Sequence, residues 1–316
     1  MNSTVVLRTE KLTKRYGALV AIDKLSLAVY KGEVFGFLGP NGAGKTTAIN
    51  MMCGLLEPDQ GQVFIHGQLV AQNGADSRAR VGVCPQNTIL WQKLTCLEQL
   101  IFVGELYGLS RHDARRRGEK LIDELDLAAK RNQLSSRLSG GMQRRLNLAL
   151  ALVHDPEILI LDEPEAGLDP QNRVRVREYI KALARGKTII LTTHNMDEAD
   201  RVADRVAIID HGRLLVVDTP QALKQSVGVG DVIEIELNGS GADLQGLKAR
   251  LSSLKQGVQV VVAHNTLTVR ALNAVNLIPF IMDDLATAGI QPGEVRLRPN
   301  TLEDVFIQLT GRGLRE

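Results

Sequence analysis

Short runs of apolar residues, each bounded by glycine, proline or acidic residues, recur along the first two-thirds of the chain. Glu33–Leu38, Ile158–Leu161, Thr188–Leu191 and Val206–Ile209 are the clearest of them. Continuous hydrophobicity over a short run is typical of parallel strands that are covered on both faces. Helical patterns separate the runs, so the sequence predicts an α/β fold with a parallel sheet.

A helical segment interrupts this alternation. From about Thr88 to Arg137 the pattern is purely helical, which predicts a helical insertion of about 88–150 in the α/β core. Near Lys224–Gly230 the chain becomes rich in small residues, as is typical of a linker. The sequence therefore predicts a first domain over 1–223 and a second domain over 231–316.

The second domain has its own pattern of strands and helices. The predicted order is βαββαβ and a last helix, with strands at 231–237, 258–263, 267–271 and 294–298 and helices at 242–254, 276–289 and 301–310. This order is the split βαβ arrangement, so we expect a small accessory α+β domain.

Composition narrows the class of protein without naming it. Hydrophobic residues make up 44% of the chain, and 38 basic residues nearly balance 36 acidic ones. This balance gives no electrostatic reason to expect nucleic acid. Cys53, Cys84 and Cys96 fit neither a disulfide framework nor a zinc site, which favours a reducing compartment. No apolar run approaches the roughly 20 residues that span a bilayer, so we expect any membrane contact to be indirect.

A glycine-rich segment follows the first predicted strand. Gly39–Thr46 matches the phosphate-binding pattern G-x-x-x-x-G-K-[ST] at each fixed position. Backbone N–H groups of such a loop, and of the helix after it, point at phosphate oxygens. We expect Lys45 to contact the β- and γ-phosphates and Thr46 to ligate Mg²⁺. The predicted nucleotide contacts in this loop are Gly39, Pro40, Asn41, Gly42, Ala43, Gly44, Lys45, Thr46 and Thr47.

Two carboxylates end the run Ile158–Leu161. Ligands of open α/β sheets bind at the carboxyl ends of the strands, where Asp162 and Glu163 would lie. We expect Asp162 to hold Mg²⁺, directly or through water. Glu163 points elsewhere because it is one residue further on, and it is the candidate general base for an attacking water.

A second glycine motif lies between the phosphate loop and the carboxylates. In Leu138–Gln143 (LSGGMQ), Ser139 is a predicted helix N-cap, followed by Gly140 and Gly141. This segment resembles the signature of the ABC-type ATPases, and the resemblance covers about Val5–Pro220. It implies two copies dimerised head to tail, with Ser139, Gly140 and Gly141 contacting the ATP held by the other copy.

Further segments resemble the motifs of the same family. Tyr16 matches the residue that stacks on adenine, and Gln86 matches a glutamine that touches Mg²⁺ and water and reports to the membrane partner. Asp169 matches the loop that crosses the dimer interface, and His194 matches the histidine that binds the γ-phosphate. His194 and Glu198 are also spaced to share a helical face, but two ligands are too few for a metal site.

One position departs from the family pattern. The residue after Pro164 is usually a small hydroxyl residue, whereas here it is Glu165. Its carboxylate would either lie close to the γ-phosphate and slow turnover or point to the dimer interface with little effect. Since the core catalytic positions are intact, we expect an active ATPase.

The end of the chain points to a subfamily. Pro299–Phe306 and Leu309–Gly311 resemble the tail of ABC-2-type exporter ATPases, which include daunorubicin-resistance-type drug exporters. Asn300 or Thr301 would cap a last helix with an apolar stripe of Leu302, Val305, Phe306 and Leu309. In the helical stretch after Gln86, Trp91 is equally compatible with a place in the core and with a contact to the permease that the resemblance implies.

The resemblance implies an ATPase, bound to ATP and Mg²⁺, that energises an exporter through a separate transmembrane permease. We expect a homodimer at the cytoplasmic face of the membrane and no nucleic acid. The alternative is a soluble ABC ATPase that acts on ribosomes or DNA. Ribosomal members usually carry two such modules in one chain, and DNA-repair members carry a long coiled coil that this sequence lacks.

Overall fold

The computed structural model describes residues 4–72, 74–227, 230–238, 246, 250–251, 258–263, 265–271 and 274–311. Its residue contacts divide the chain into two units, with the boundary after Pro220. Within those ranges, every helix is too short or too polar to cross a membrane.

The first unit contains two sheets and the helices that cover them. Its strands are β1 (Val5–Tyr16), β2 (Leu19–Tyr30), β3 (Val34–Leu38), β4 (Gln60–Ile65), β5 (Gln68–Leu69), β6 (Val81–Cys84), β7 (Ile158–Asp162), β8 (Thr188–Thr193), β9 (Arg205–Asp210) and β10 (Arg213–Asp218). Its helices are α1 (Lys45–Met52), α2 (Gly74–Ala79), α3 (Cys96–Leu106), α4 (Arg111–Glu124), α5 (Gly140–Leu152), α6 (Pro170–Ala184) and α7 (Met196–Val202), with α8 (Pro220–Ser226) at the boundary.

The central sheet has the strand order β10-β9-β3-β8-β7-β6. Its strands are parallel except β10, which pairs antiparallel with β9. The predicted α/β fold with a parallel sheet is therefore confirmed. The four apolar runs of the sequence become β3, β7, β8 and β9, with β8 and β9 each longer than predicted.

Alternate residues of β7 enter different cores on the two faces of this sheet. Ile158 and Ile160 pack with residues of α1 and of the second sheet. Leu159 and Leu161 pack instead with residues of α3, α4 and α5. All four side chains are fully buried. A strand buried on both faces needs apolar residues at every position, which explains the continuous run.

The second sheet of this unit was not predicted from the sequence. It is antiparallel, with the order β2-β1-β4-β5, and β1 and β2 are its two longest strands. Several register shifts interrupt the pairing of β1 with β2. Each shift moves the buried side chains out of strict alternation, so the period-2 pattern that identifies such strands is weak.

The helix after the phosphate loop begins earlier than its apolar pattern indicates. The apolar pattern of Ala48–Leu55 indicates a helix from Ala48, whereas α1 begins at Lys45. Gly44 precedes it with φ of 99°, a left-handed conformation that glycine adopts without strain. The first turn of α1 carries polar residues because it faces the ligand site and not the core.

All three cysteines lie inside the first unit. Cys53, Cys84 and Cys96 are buried, and none is in a disulfide. Burial raises the pKa of each thiol, and that of Cys53 reaches about 12. These residues are consequently uncharged packing residues at neutral pH.

The second unit is built on an antiparallel sheet with its own core. Its strands are β11 (Asp231–Asn238), β12 (Gln259–Ala263), β13 (Thr266–Ala271) and β14 (Gln291–Pro299), and its helices are α9 (Ile278–Thr287) and α10 (Leu302–Thr310). The strand order is β12-β13-β11-β14. Ile233, Ile235 and Leu237 pack against Ile281 and Leu285 of α9. Most of the helix predicted at 242–254 lies outside the described residues.

Thr301 is the cap of the last helix, which settles the choice between Asn300 and Thr301. Its hydroxyl accepts a hydrogen bond from the Asp304 N–H at 3.3 Å, and the Asp304 side chain accepts from the Thr301 N–H at 2.8 Å. Leu302, Val305 and Phe306 are buried as predicted. The prediction was wrong for Leu309, which is 45% exposed.

The packing of β6 on α5 should tolerate no added methyl group. A Cβ on Gly82 would lie 2.1 Å from the carbonyl oxygen of Ala151 and 2.8 Å from Cγ of Pro156. We expect Gly82→Ala to lower the free energy of unfolding by about 1–3 kcal/mol, because the neighbouring backbone has to move. Urea unfolding followed by circular dichroism measures this change. Gly186→Ala is the control, since a Cβ there meets nothing within 4 Å; equal midpoints for the two variants would contradict the expectation.

Candidate active site

Three neighbouring strands deliver the candidate residues to one edge of the central sheet. β8 lies between β3 and β7, and all three run parallel. The phosphate loop follows β3, Asp162 and Glu163 are at the end of β7, and His194 directly follows β8. The carboxyl ends of parallel strands meet at the same edge, so these segments lie side by side.

The loop Gly39–Gly44 runs close to the neighbouring backbone. A Cβ on Gly39 would lie 2.5 Å from the carbonyl oxygen of Ile209, and one on Gly44 would lie 2.5 Å from that of Ala21. Gly42 has φ of 81° and turns the loop between them. The loop leads directly into α1, whose first N–H groups have no partner within the helix. This arrangement suits an anion such as phosphate.

The side chain of Lys45 folds back over the loop. Its ammonium donates to the carbonyl oxygens of Gly39 and Pro40 at 2.7 and 3.1 Å. It also lies 3.6 Å from Oε1 of Glu163. Burial lowers the pKa of Lys45, and the negative charge of Glu163 partly offsets that effect. A buried cation is thus held at the base of the loop beside a carboxylate.

Asp162 is held by two threonine hydroxyls. Oγ1 of Thr46 lies 3.4 Å from Oδ2 of Asp162, while Thr192 on β8 donates a hydrogen bond to Oδ1. All of these groups are hard oxygen donors, and a hydroxyl next to a carboxylate is the donor set that Mg²⁺ takes in proteins. The predicted metal residues Thr46 and Asp162 therefore lie in contact.

Glu163 has an unusual backbone and two charged or polar neighbours. Its φ is 48°, and its N–H donates to both the carbonyl oxygen and the hydroxyl of Thr192 at 3.1 Å. Its carboxylate lies 2.9 Å from Nδ1 of His194. A non-glycine residue at positive φ is costly and persists only when its surroundings fix it. Here Thr192 fixes the backbone, and Lys45 and His194 flank the carboxylate.

One cavity of about 390 Å³ is lined by half of the predicted nucleotide contacts. Tyr16, half-exposed at the end of β1, lines it together with Gln86 and Glu163. From the phosphate loop and α1 come Asn41, Gly42, Gly44, Lys45, Thr46 and Thr47. Gly39, Pro40 and Ala43 shape the loop behind these residues.

Ser139, Gly140, Gly141 and Asp169 do not line this cavity. Ser139 caps α5, as predicted, by accepting from the Met142 N–H at 3.4 Å. Asp169 caps α6 by accepting from the Asn172 N–H at 3.0 Å. A Cβ on Gly141 would lie 3.2 Å from Nδ2 of Asn172. Glycine at 141 thus lets the starts of α5 and α6 lie close together.

Arg144 on α5 is a site residue that the sequence did not predict. Its buried guanidinium donates to the carbonyl oxygens of Pro85 and Gln86 at 2.6 and 2.8 Å. It also donates to those of Asp162 and Glu163, both at 2.8 Å. The sequence places Arg144 beside Arg145 at the start of an apolar-rich helix, and nothing in it separates the two arginines.

Glu165 is bound within its own chain, which the sequence did not predict. It is 4% exposed, and its carboxylate accepts from Nε and Nη2 of Arg177 at 3.0 and 2.7 Å. It does not line the cavity that contains Lys45. The charge of Glu165 is therefore balanced inside its own chain by a cation of α6.

Glu198 lies next to this ion pair. It accepts a hydrogen bond from the Thr193 hydroxyl and lies close enough to Glu165 to feel its charge. Burial, followed by the charges of Glu165 and Glu163, raises the pKa of Glu198 to about 7. Because His194 contacts Glu163 while Glu198 turns to Thr193, the two do not form a metal pair. Among the described residues, no three histidine, cysteine or acidic side chains converge on a metal position.

Comparison with known proteins agrees with this geometry. Residues 22–166 match the ABC transporter family. The chain is 39% identical to the Nod factor export ATP-binding protein I of Ralstonia nicotianae, over 100% of this chain and 97% of that protein. It is 35% identical to the linearmycin resistance ATP-binding protein of Bacillus subtilis, over 98% and 100%. It is 38% identical to a daunorubicin resistance ATP-binding protein of Streptomyces coeruleorubidus, over 94% and 93%.

Solved structures are similar over about two-thirds of the chain. An ATP-binding subunit of an ABC transporter shares 29% identity and a TM-score of 0.65, covering 70% of this chain and 92% of that one. A dimeric ATP-binding cassette in a post-hydrolysis state, bound to ADP and phosphate, shares 25% identity and a TM-score of 0.62. It covers 67% of this chain and 98% of that one.

The fold and the site define an ATP-hydrolysing enzyme of the phosphate-loop class. The chain belongs to the ABC transporter family, in the group of export-type ATP-binding subunits to which its full-length relatives belong. The predicted fold class, family and ATPase activity are thereby confirmed.

Arg144 should be required for the stability of the site. We expect Arg144→Lys to lower the free energy of unfolding by about 2–4 kcal/mol. One ammonium cannot reach all the carbonyl oxygens that the guanidinium binds, so some buried carbonyls are left without a donor. Urea unfolding and ATP turnover per folded protein would be measured together. Arg175→Lys is the control on the exposed face of α6. If the two substitutions had equal effects, the role assigned to Arg144 would be wrong.

Glu198 should make stability depend on pH. Its pKa is about 7 in the folded chain against 4.5 for a free glutamate, so the folded state holds the proton more tightly. Stability from this group is complete below pH 4.5 and is lost as pH rises to about 7. We expect Glu198→Gln to remove this dependence of the free energy of unfolding on pH. The difference in unfolding free energy between the variant and wild type should therefore change by up to about 3 kcal/mol across that pH range. The exposed Glu178→Gln should show no such change, and a Glu198→Gln slope equal to wild type would refute the assignment.

Proposed function

We propose that the chain binds Mg²⁺·ATP in the cavity above α1 and hydrolyses it to drive an ABC-2-type exporter. The observation that carries this proposal is the group formed by Lys45, Thr46, Asp162, Glu163 and His194 at one sheet edge, with contacts of 2.9–3.6 Å in three residue pairs. The group supplies a cation that can bind phosphates, oxygen donors for a metal, and a base, all in neighbouring positions. Phosphoryl transfer to water requires these three.

Thr46, Asp162 and Gln86 are the proposed metal residues. The contact between Thr46 and Asp162 fits a hard cation, and Gln86 adds an amide oxygen in the same cavity. When bound, Mg²⁺ neutralises charge on the phosphates. Arg144 fixes the backbone of both Gln86 and Asp162, which supports a preorganised metal site.

Glu163 is the proposed general base. It accepts a proton from water as the water oxygen attacks the γ-phosphorus; that O–P bond forms while the bond to the β-phosphate oxygen breaks, giving ADP and phosphate. Lys45 stabilises charge on the β- and γ-phosphates. His194, beside Glu163, is the proposed γ-phosphate contact. Tyr16 lies at the cavity rim, where its ring can stack on adenine.

The proposed active form is a dimer of two copies. Ser139, Gly140, Gly141 and Asp169 do not line the cavity of their own chain, yet they begin two helices side by side. Helix N-termini attract anions, so this face suits the γ-phosphate held by another copy. One neighbouring cassette structure is dimeric, which supports this arrangement.

A separate transmembrane permease is the proposed partner, with the chain at the cytoplasmic face of the membrane. The relatives are named for Nod factor export and for linearmycin and daunorubicin resistance, and we carry over export as the direction of transport. These relatives match nearly the whole chain, so action on ribosomes or DNA is not favoured. The unit after Pro220 is proposed to be a separate accessory domain with its own core.

Glu163→Gln tests the proposed base. The amide keeps the size of the side chain but cannot accept the proton of water. We expect turnover to fall by about 10²–10⁴-fold, with ATP binding retained. Phosphate release and the binding of a fluorescent ATP analogue would be measured on the same preparation.

The control is Glu178→Gln, which changes an exposed carboxylate on α6. It should leave both turnover and nucleotide affinity at the wild-type values. Near wild-type turnover of Glu163→Gln would show that another group activates water.

A further inference from the structure

The turn after Glu163 is tied to α6 at two points. Arg177 holds the Glu165 carboxylate with two hydrogen bonds of 3.0 and 2.7 Å, and Arg173 donates to the Leu168 carbonyl oxygen at 2.8 Å. Within the turn, the Ala166 N–H donates to the carbonyl oxygen of Glu163 at 3.1 Å. The backbone that leaves Glu163 is therefore anchored to the helix that begins after Asp169.

Glu165 is tied to β8 by a second route. Glu198 on α7 lies beside Glu165, whose negative charge acts on it, and it accepts a hydrogen bond from the Thr193 hydroxyl. Thr193 directly precedes His194, whose ring contacts the Glu163 carboxylate. These groups form a ring of neighbours that runs from Glu163 to His194, along the backbone to Thr193, through its hydrogen bond to Glu198, and from the adjacent Glu165 along the turn back to Glu163.

This ring depends on the unusual residue at position 165. A guanidinium pairs with a carboxylate through two parallel hydrogen bonds, which fix orientation as well as distance. A serine or threonine, expected here from the family resemblance, has a single oxygen and cannot make that pair. Glu165 and Arg177 are both largely buried, so the pair is shielded from solvent screening.

We propose that Glu165 is a positioning residue for ATP hydrolysis, which holds the turn bearing Glu163 in register with His194 and with the start of α6 through Arg177 and Glu198. The inference rests on the proposed roles of Glu163 and His194. Glu165 touches neither of the two reacting groups and does not line the cavity. Its effect is on the alignment of the base and not on the binding of nucleotide.

Glu165→Gln is the first test, since it keeps the shape and removes the charge that orients Arg177. We expect kcat to fall about tenfold and KM for ATP to change less than about twofold, because only the alignment of the base is lost. Rates are normalised to the amount of nucleotide-binding protein, so partial unfolding does not count as lost catalysis. The matched control is Arg175→Gln, because Arg175 lies on the same helix as Arg177 and makes an exposed ion pair with Asp126. Its loss should leave kcat unchanged.

A double-mutant cycle separates positioning from a general loss of stability. Arg177→Gln alone should lower kcat as Glu165→Gln does, and the double variant should be no slower than either, because both remove one interaction. Arg177→Lys keeps the charge and loses the fork, so an intermediate kcat is expected. This conservative variant also serves if Glu165→Gln does not fold.

Three outcomes would overturn the inference: wild-type kcat in Glu165→Gln, additive losses in the cycle, or a rise in KM without a fall in kcat. Glu163→Gln is run in the same assay. If it is inactive while Glu165→Gln is normal, only the positioning role fails. If Glu163→Gln is itself active, the proposed base fails instead.

Discussion

The guanidinium of Arg144 holds three parts of the site in one place. It gathers carbonyl oxygens from the segment of Gln86 and from the turn of Asp162 and Glu163, and it belongs to the helix that Ser139 caps. Carbonyl oxygens repel one another, so their convergence needs a buried cation with several donors. The positions of the proposed metal residues and base depend on this contact, and so does their connection to the ABC signature.

Several buried carboxylates lie near one another at this edge of the sheet, and each has a different partner. Asp162 is bound by hydroxyls, Glu163 lies between Lys45 and His194, and Glu165 is paired with Arg177. Separate partners let neighbouring acids keep distinct chemical roles. Burial, together with the charges of Glu165 and Glu163, raises the pKa of the neighbouring Glu198.

Local patterns predicted those parts of the fold and site that local chemistry determines. The continuous apolar run of β7 and the glycine spacing of the phosphate loop follow from burial and from phosphate geometry, and both were predicted. The antiparallel sheet was missed because the register shifts between β1 and β2 weaken its alternation. The partner of Glu165 lies 12 residues away on another element, and Arg144 resembles Arg145 until the helix is packed. Contacts of that kind are set by tertiary structure, and no spacing rule finds them.

The burial of Cys53, Cys84 and Cys96 has a practical consequence. Thiol reagents attack thiolates that are accessible, and these three side chains are neither ionised at neutral pH nor at the surface. A cysteine introduced at an exposed position would therefore react selectively in the otherwise native chain. Spectroscopic probes can therefore be attached without first removing the natural cysteines. Distances between the two copies of the proposed dimer could then be measured directly as the dimer opens and closes.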